Sequence, residues 1–255
     1  MTDETPRAPE GWYPDPEDGR YLRWWTGHQW GLRTPVPDAR ASKPVGRGFA
    51  RLAGAVGVLM ALTMVVLVGE IGLHVWGFTM IEDAVAAGDV ARLDRFDGLD
   101  QALGVLLGTG MVVTGISWMV WQYRLARAAA PGELRRGPKM HAFSWIIPIV
   151  AAWFPFQNVK DLWRVNVPDR GRAILGWWWT GWIVLLVLDR VIPQVYDSTD
   201  SVAEFRTLMV VQLVGAVVAL GTAVLALRIL KTLTTGGLDR DARAQVSVGG
   251  SPAAW

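Results

Sequence analysis

Apolar residues gather in runs about twenty long, separated by charged connectors. The run over 52–72 carries no charge before Glu70, the run over 102–121 carries none, and the run over 207–227 has Gln212 as its only strongly polar residue. A fourth run, 173–192, stays apolar until Asp189 and Arg190 near its end. About 20 apolar residues make a helix that crosses a bilayer, and a charge at its centre costs roughly 2.5–3.5 kcal/mol on insertion scales. These four runs predict four transmembrane helices. A fifth run, 141–156, reads HAFSWIIPIVAAWFPF; it is short and is interrupted by Pro148 and Pro155. Each proline removes a helical hydrogen bond and kinks the chain. After it, Val159, Leu162 and Trp163 share one helical face, with Lys160, Asp161 and Arg164 mostly around the other, as in a helix lying at an interface.

The connectors separate the readings of that fifth run, because cytoplasmic loops are enriched in Lys and Arg. Arg40, Lys43, Arg47 and Arg51 precede the first run; Arg124, Arg127, Arg135, Arg136 and Lys139 follow the second. Lys160, Arg164, Arg170 and Arg172 follow the proline-broken run, and Arg228 and Lys231 follow the last. The stretches 73–101 and 193–206 are predominantly acidic. Five crossings would export two basic segments and import an acidic one. Four crossings, with 141–165 as a re-entrant or interfacial segment, satisfy every loop and place both termini in the cytoplasm. A fifth, short, kinked span is the alternative. The expected organisation is a module at 10–37, a basic linker at 38–51, a membrane domain at 52–230 and a flexible cytoplasmic tail at 231–255. No cleavable signal peptide is expected, the first run being too long for a signal core.

The first module reads EGWYPDPEDGRYLRWWTGHQWGLRTPVP. Pro14-Asp15-Pro16 and Asp18-Gly19 are turn signals, and 20–25 is a β-prone run, so a small two- or three-stranded β-hairpin module is expected. Trp12, Tyr13, Tyr21, Trp25 and Trp30 form either its miniature core or a groove for an extended peptide or protein partner. This stretch resembles a short actinobacterial module of unknown function, marked by Gly-Trp-Tyr-Pro-Asp-Pro, which Gly11–Pro16 match without change.

Most remaining tryptophans fall toward the inner half of the bilayer in this topology. An anchoring belt accounts for them; an aromatic-lined cavity for lipid or a hydrophobic ligand is the sharper alternative. The candidate lipid or interface residues are Trp121, Arg124, Trp145, Pro155, Gln157, Trp163, Arg164, Trp177 and Trp178. They carry a second resemblance, to an actinobacterial multi-span membrane family of unknown function. Its elements appear here as Trp121-Gln122-Tyr123-Arg124, 145–148, Pro155-Phe156-Gln157, Asp161-Leu162-Trp163-Arg164 and Gly176-Trp177-Trp178-Trp179. Phe156 replaces Tyr, Asp161 replaces Glu, and Ala128 stands where Asn is frequent. The resemblance implies a bacterial plasma-membrane protein and supplies no reaction.

Composition narrows the chemistry. The absence of Cys removes disulfides, thiol nucleophiles and iron–sulfur clusters, and a net charge of +2 makes any basic effect local. Three scattered His make no metal site, and no phosphate loop, dinucleotide fingerprint or hydrolase elbow is present. Glu70 and His74, four residues apart, share a helix face and read as a solvated pair at the outer end of the first span. Gly104/Gly108 and Gly215/Ala219 are small-xxx-small pairs suited to helix packing, with homo-oligomerisation as the alternative. No cofactor and no nucleic acid are expected; membrane lipids are. The expected function is a non-enzymatic membrane scaffold or sensor. A transporter or channel component using Thr109, Thr114, Ser117, Thr180, Gln212 and Thr222 comes second, and a membrane-embedded enzyme last.

Overall fold

The computed structural model describes residues 9–18, 21–35, 44–196 and 201–249, in two units that divide after Lys43. The first is a three-stranded antiparallel sheet, β1 (Gly11–Pro14), β2 (Tyr21–Trp25) and β3 (Trp30–Pro35), in that order. Residues 38–43 of the basic linker and the terminal Trp255 lie outside the described residues. Asp15 closes the first turn by accepting from the Glu17 amide. Thr26 closes the second, its hydroxyl donating to the Gln29 carbonyl and accepting from the Gln29 amide. Gly27 sits there at φ 86, where a side chain is disfavoured. A third strand gives the stability that an isolated hairpin lacks.

The second unit is all helix: α1 (Phe49–Ala87), α2 (Val90–Arg127), α3 (Pro138–Phe143), α4 (Pro148–Ala151), α5 (Phe154–Asn166), α6 (Ala173–Tyr196) and α7 (Val202–Gly249). Helices α1, α2, α6 and α7 are each long and apolar enough to cross a membrane. The chain is an integral membrane protein with a small N-terminal β module. The four long helices pack in the order α2–α1–α7–α6, and α3 and α5 occupy the space between α2 and α6 at one end.

A core cluster fixes which end. It joins Phe49 and Val56 of α1, Trp121 and Leu125 of α2, Leu162 of α5, Leu175 and Trp178 of α6, and Leu230 and Leu233 of α7. The connector from α2 to α6 therefore begins and ends at the same end of the bundle and adds no fifth crossing. Pro148 and Pro155 each stand in the first turn of a new helix, where the missing N–H costs nothing. The broken apolar run thus becomes three short helices.

Three expectations need correction. The acidic stretch 73–101 is not a loop. At 39 residues, α1 is roughly 58 Å long, well beyond the ~30 Å hydrocarbon core, and α2 returns alongside it. Gly88 at φ 65 ends α1 and the Asp89 carboxylate caps the first turn of α2. Ile81, Ala84 and Phe96 cluster with Leu73, Met80 and Met209 there, so the charges lie on the outer faces of a packed hairpin. The segment 231–249 is not a flexible tail either: it continues α7. The Asp241 carboxylate accepts from the Val45 amide at 2.7 Å and Arg240 faces Glu133 at 3.5 Å. Gly236 and Gly237, within the expected tail, are places of close approach to Asn166 of α5 and Leu125 of α2. Third, a side chain on Gly104 or Gly108 would meet open space, so this pair packs no helix within the chain. Gly215 does lie against Leu188.

A Cβ at position 236 would sit 2.5 Å from the Asn166 carbonyl oxygen. Gly236→Ala should therefore lower the stability of the detergent-solubilised protein by about 1–3 kcal/mol, while Gly104→Ala should raise or preserve it. Paired thermal melts would test this, and equal melting temperatures would refute the close packing of α7 on α5.

Candidate functional site

The end of the bundle plugged by α3–α5 holds a nest of indoles. Trp145, in the proline-broken segment, projects among Trp118 of α2 and Trp178, Trp179 and Trp182 of α6, with ring centroids 5.6–6.5 Å away. Trp118 lies 4.8 Å from Trp121 and 6.2 Å from Trp178. Phe156 stacks on Trp179 at 5.7 Å. Tilted and edge-on pairs of this kind add about 0.5–1.5 kcal/mol each beyond burial.

The indole N–H groups need acceptors in so dry a place. Gln122, fully buried, supplies one oxygen to two of them: Trp118 Nε1 and Trp145 Nε1 each donate to Gln122 Oε1 at 3.0 Å. Two donors on one oxygen fix the amide's orientation and leave Nε2 unpaired. Trp121 Nε1 donates to Thr234 Oγ1 at 3.1 Å, and Trp163 Nε1 to the Arg170 carbonyl at 3.2 Å.

Beneath the indoles lies a polar layer built from α5. Asn158 donates to the Met140 carbonyl and the Ser144 hydroxyl and accepts from Arg136. Gln157 accepts from Arg136 at 2.6 Å, and the same guanidinium lies 3.6 Å over the Phe154 ring. The Asp161 carboxylate, 2% exposed, pairs with Arg135 at 3.4 Å and Arg164 at 3.7 Å and accepts from the Arg135 amide. Arg164 also donates to the Glu133 carbonyl. Each of these bonds ties α5 to the 133–144 stretch or to itself. Their effect is to staple the α2–α6 connector into its gap.

One group breaks the pattern. His141 of α3 is fully buried, and neither ring nitrogen has a hydrogen-bond partner. Burial pushes its pKa down to about 4. The Asp161 carboxylate and the Arg136 carbonyl favour the charged ring and the Arg136 guanidinium opposes it; burial outweighs them all. His141 is therefore a neutral imidazole at physiological pH. Its isolation was illegible without the fold.

Of the expected interface residues, Trp121, Trp145, Pro155, Gln157, Trp163, Arg164 and Trp178 converge on this end. Arg124 is exposed and joins no polar contact there. Trp177 is 71% exposed and points away from the nest. Sequence reasoning missed Asn158 and Ser144, and quoted Gln122 without seeing its role. Gln122 could have been found as a polar residue one helical turn after Trp118 within an apolar run.

In the β module the five candidate aromatics do not form one cluster. Trp12 packs edge-on against Trp24, directly opposite it on β2, at 5.5 Å. Tyr13, Trp25 and Trp30 form a separate group, with Trp30 6.4 Å from Tyr13 and 5.0 Å from Trp25. Arg33 lies 4.1 Å over Tyr21 and pairs with the buried Asp15 at 2.8 Å. No aromatic ring of the described sheet is buried; Trp12 and Trp30 are exposed.

Glu70 and His74 also differ from expectation. His74 is buried, not solvated. Its Nδ1 donates to the Glu70 carbonyl at 2.8 Å, and Nε2 lies 3.2 Å from Gln212 Oε1 and 3.9 Å from Asp100. It links α1, α2 and α7 away from the indole nest. Among the described residues, no group of three or more His, Asp or Glu converges as metal ligands would.

Two family models match the chain. Residues 82–235 match a domain of unknown function, DUF4328, and residues 11–43 match a protein of unknown function, DUF2510. The first match spans more than half of the chain, which belongs to that family. No curated protein and no solved structure matches.

Two measurements probe the nest. Gln122→Leu leaves two buried indole N–H groups unpaired, at roughly 1–3 kcal/mol each, so the melting temperature should fall and tryptophan emission should shift; an unchanged melt would deny the shared acceptor. His141 accepts a proton near pH 4 when folded and near pH 6.5 when unfolded. Its contribution is complete above pH 6.5 and is lost as pH falls toward 4, at no more than about 1.4 kcal/mol per pH unit. His141→Leu should flatten that part of the stability–pH curve relative to the parent chain.

Proposed function

We propose that this DUF4328 protein is a non-enzymatic scaffold or sensor of a bacterial, specifically actinobacterial, plasma membrane, with both termini in the cytoplasm. The observation that carries this reading is how the polar side chains at the plugged end are engaged. Gln122, Asn158, Asp161 and Arg164 are bonded to indoles, backbone or arginines of the same chain, as groups that build a shape would be. The segment they hold turns Ile146, Ile149 and Trp153 outward, with Ile149 90% exposed. A membrane protein with such a rim meets lipid there.

The β module supplies the second half of the proposal. Tyr13, Trp25 and Trp30 form a half-exposed aromatic strip on a small sheet, the chemistry that grips an extended or proline-rich peptide. A cytoplasmic protein partner bound there would be coupled to a lipid-contacting membrane domain.

The second reading, a transporter or channel component, draws on one observation: Glu70, His74, Asp100 and Gln212 bring polar groups together where α1, α2 and α7 meet. Other hydroxyls of the spans oppose it. Ser117 and Thr222 donate to carbonyls of their own helices, and Thr114 lies 3.4 Å from Thr63, so they do not line a shared path. Substrate-dependent flux in vesicles, abolished by His74→Phe, would favour that reading.

Two experiments test the leading one. With no native Cys, a Val167→Cys variant reports the side on which the α5–α6 turn lies. A membrane-impermeant maleimide should leave it unlabelled in intact cells and label it after lysis; labelling from outside would reverse the topology. Full-length protein should capture a cytosolic partner whose recovery drops at least about tenfold, the effect of ~1.4 kcal/mol, on Trp25→Ala or Trp30→Ala. Trp12→Ala, outside the strip, should retain it.

A further inference from the structure

On the flank of the plugged end, where the α5–α6 turn passes α7, lies an open groove of about 460 Å³. Its floor is apolar, formed by Trp163 and Ile174; its rim carries Arg170, Arg228 and Lys231, with Thr232 beside them. No carboxylate lines it. The three cations are exposed, and none has an ion pair among the described residues. The groove is also built rather than fortuitous. Arg228, Lys231 and Thr232 share one face of α7 by their spacing, and the Trp163 indole, donating to the Arg170 carbonyl at 3.2 Å, fixes the turn that carries Arg170. The first turn of α6 borders the groove through Ile174 and contains no acidic residue. Its positive dipole end therefore adds to the cationic field.

We propose that this groove binds the phosphate of an anionic phospholipid headgroup. The shared chemistry is a phosphate held by two guanidiniums, an ammonium and a hydroxyl. What favours a lipid over a free phosphate is the apolar surface that continues from the groove. Trp177 stands one turn beyond Ile174 on α6 and is 71% exposed, and Val224 stands one turn before Arg228 on α7 and is 38% exposed. Acyl chains lying on these side chains would cover both, and would give Trp177, which the indole nest leaves out, its contact. Basic pockets between transmembrane helices at the cytoplasmic boundary take headgroups of this class. The inference deepens the lipid-contacting half of the proposed function and does not depend on the β module.

The test uses the full chain in phosphatidylcholine nanodiscs, titrated with phosphatidylglycerol brominated on its acyl chains. Bromine should quench tryptophan emission at lower mole fractions of phosphatidylglycerol than of equally brominated phosphatidylcholine. Neutralising Arg170, Arg228 and Lys231 together to Gln should weaken this preference at least about tenfold. Arg127→Gln, an exposed cation in the last turn of α2 outside the groove, should leave it intact. Arg228→Lys with Arg170→Lys keeps the charge and should retain most of the preference, which separates headgroup recognition from loss of folding. Equal quenching by the two lipids, or a preference that survives the triple neutralisation, overturns the proposal. Competition by inorganic phosphate at the lipid's own effective concentration also overturns it, in favour of a soluble anion. None of these outcomes alters capture of a partner by the aromatic sheet, so the two readings fail separately.

Discussion

An apolar interior offers no water to an indole N–H, so a buried indole needs an acceptor within the protein. The Gln122 side-chain oxygen meets that need for two indoles from different parts of the chain, while its own Nε2 stays unpaired. The bond from Trp145 anchors the proline-broken segment to α2, and the α6 indoles then close around it. Were that oxygen absent, Trp118 and Trp145 would each need another acceptor in an apolar nest, and the connector would lose its deepest fixed point. The α5 layer repeats the logic one level out, where Asn158 and Asp161 satisfy the backbone and arginines of the 133–144 stretch.

Much of the membrane domain was legible because the bilayer writes itself into a sequence as run length. Four apolar runs became four helices, and Pro148 with Pro155 marked the run that does not cross. The extent of the helices was less legible. Charges in 82–100 resemble a loop when counted, but Ile81, Ala84 and Phe96 at helical spacing pack an inner seam that keeps α1 and α2 going. The tail expected at 231–255 failed over 231–249 for a related reason: Gly236 and Gly237 let α7 continue in close contact with α5 and α2, and only tertiary contact shows that.

The candidate site was legible in its vocabulary and not in its grammar. Trp121, Trp145, Gln157, Asp161 and Arg164 stood out as residue types unusual for their surroundings. Nothing in their spacing showed that they converge, because they come from α2, a loop and α5. His74 was read as a boundary residue, since hydropathy alone puts a histidine where polarity is inexpensive. His74 and His141 are both buried, one with its ring bonded across helices and one whose ring nitrogens lack a well-aligned hydrogen bond among the described residues. Burial of a single polar ring is a property of packing, and packing is long-range.

The connector's placement has a mechanical corollary. Two short helices, α3 and α5, fill the space between α2 and α6 at one end, and among the described residues no element does so at the other. The bundle is therefore broader in cross-section at its plugged end than at the other.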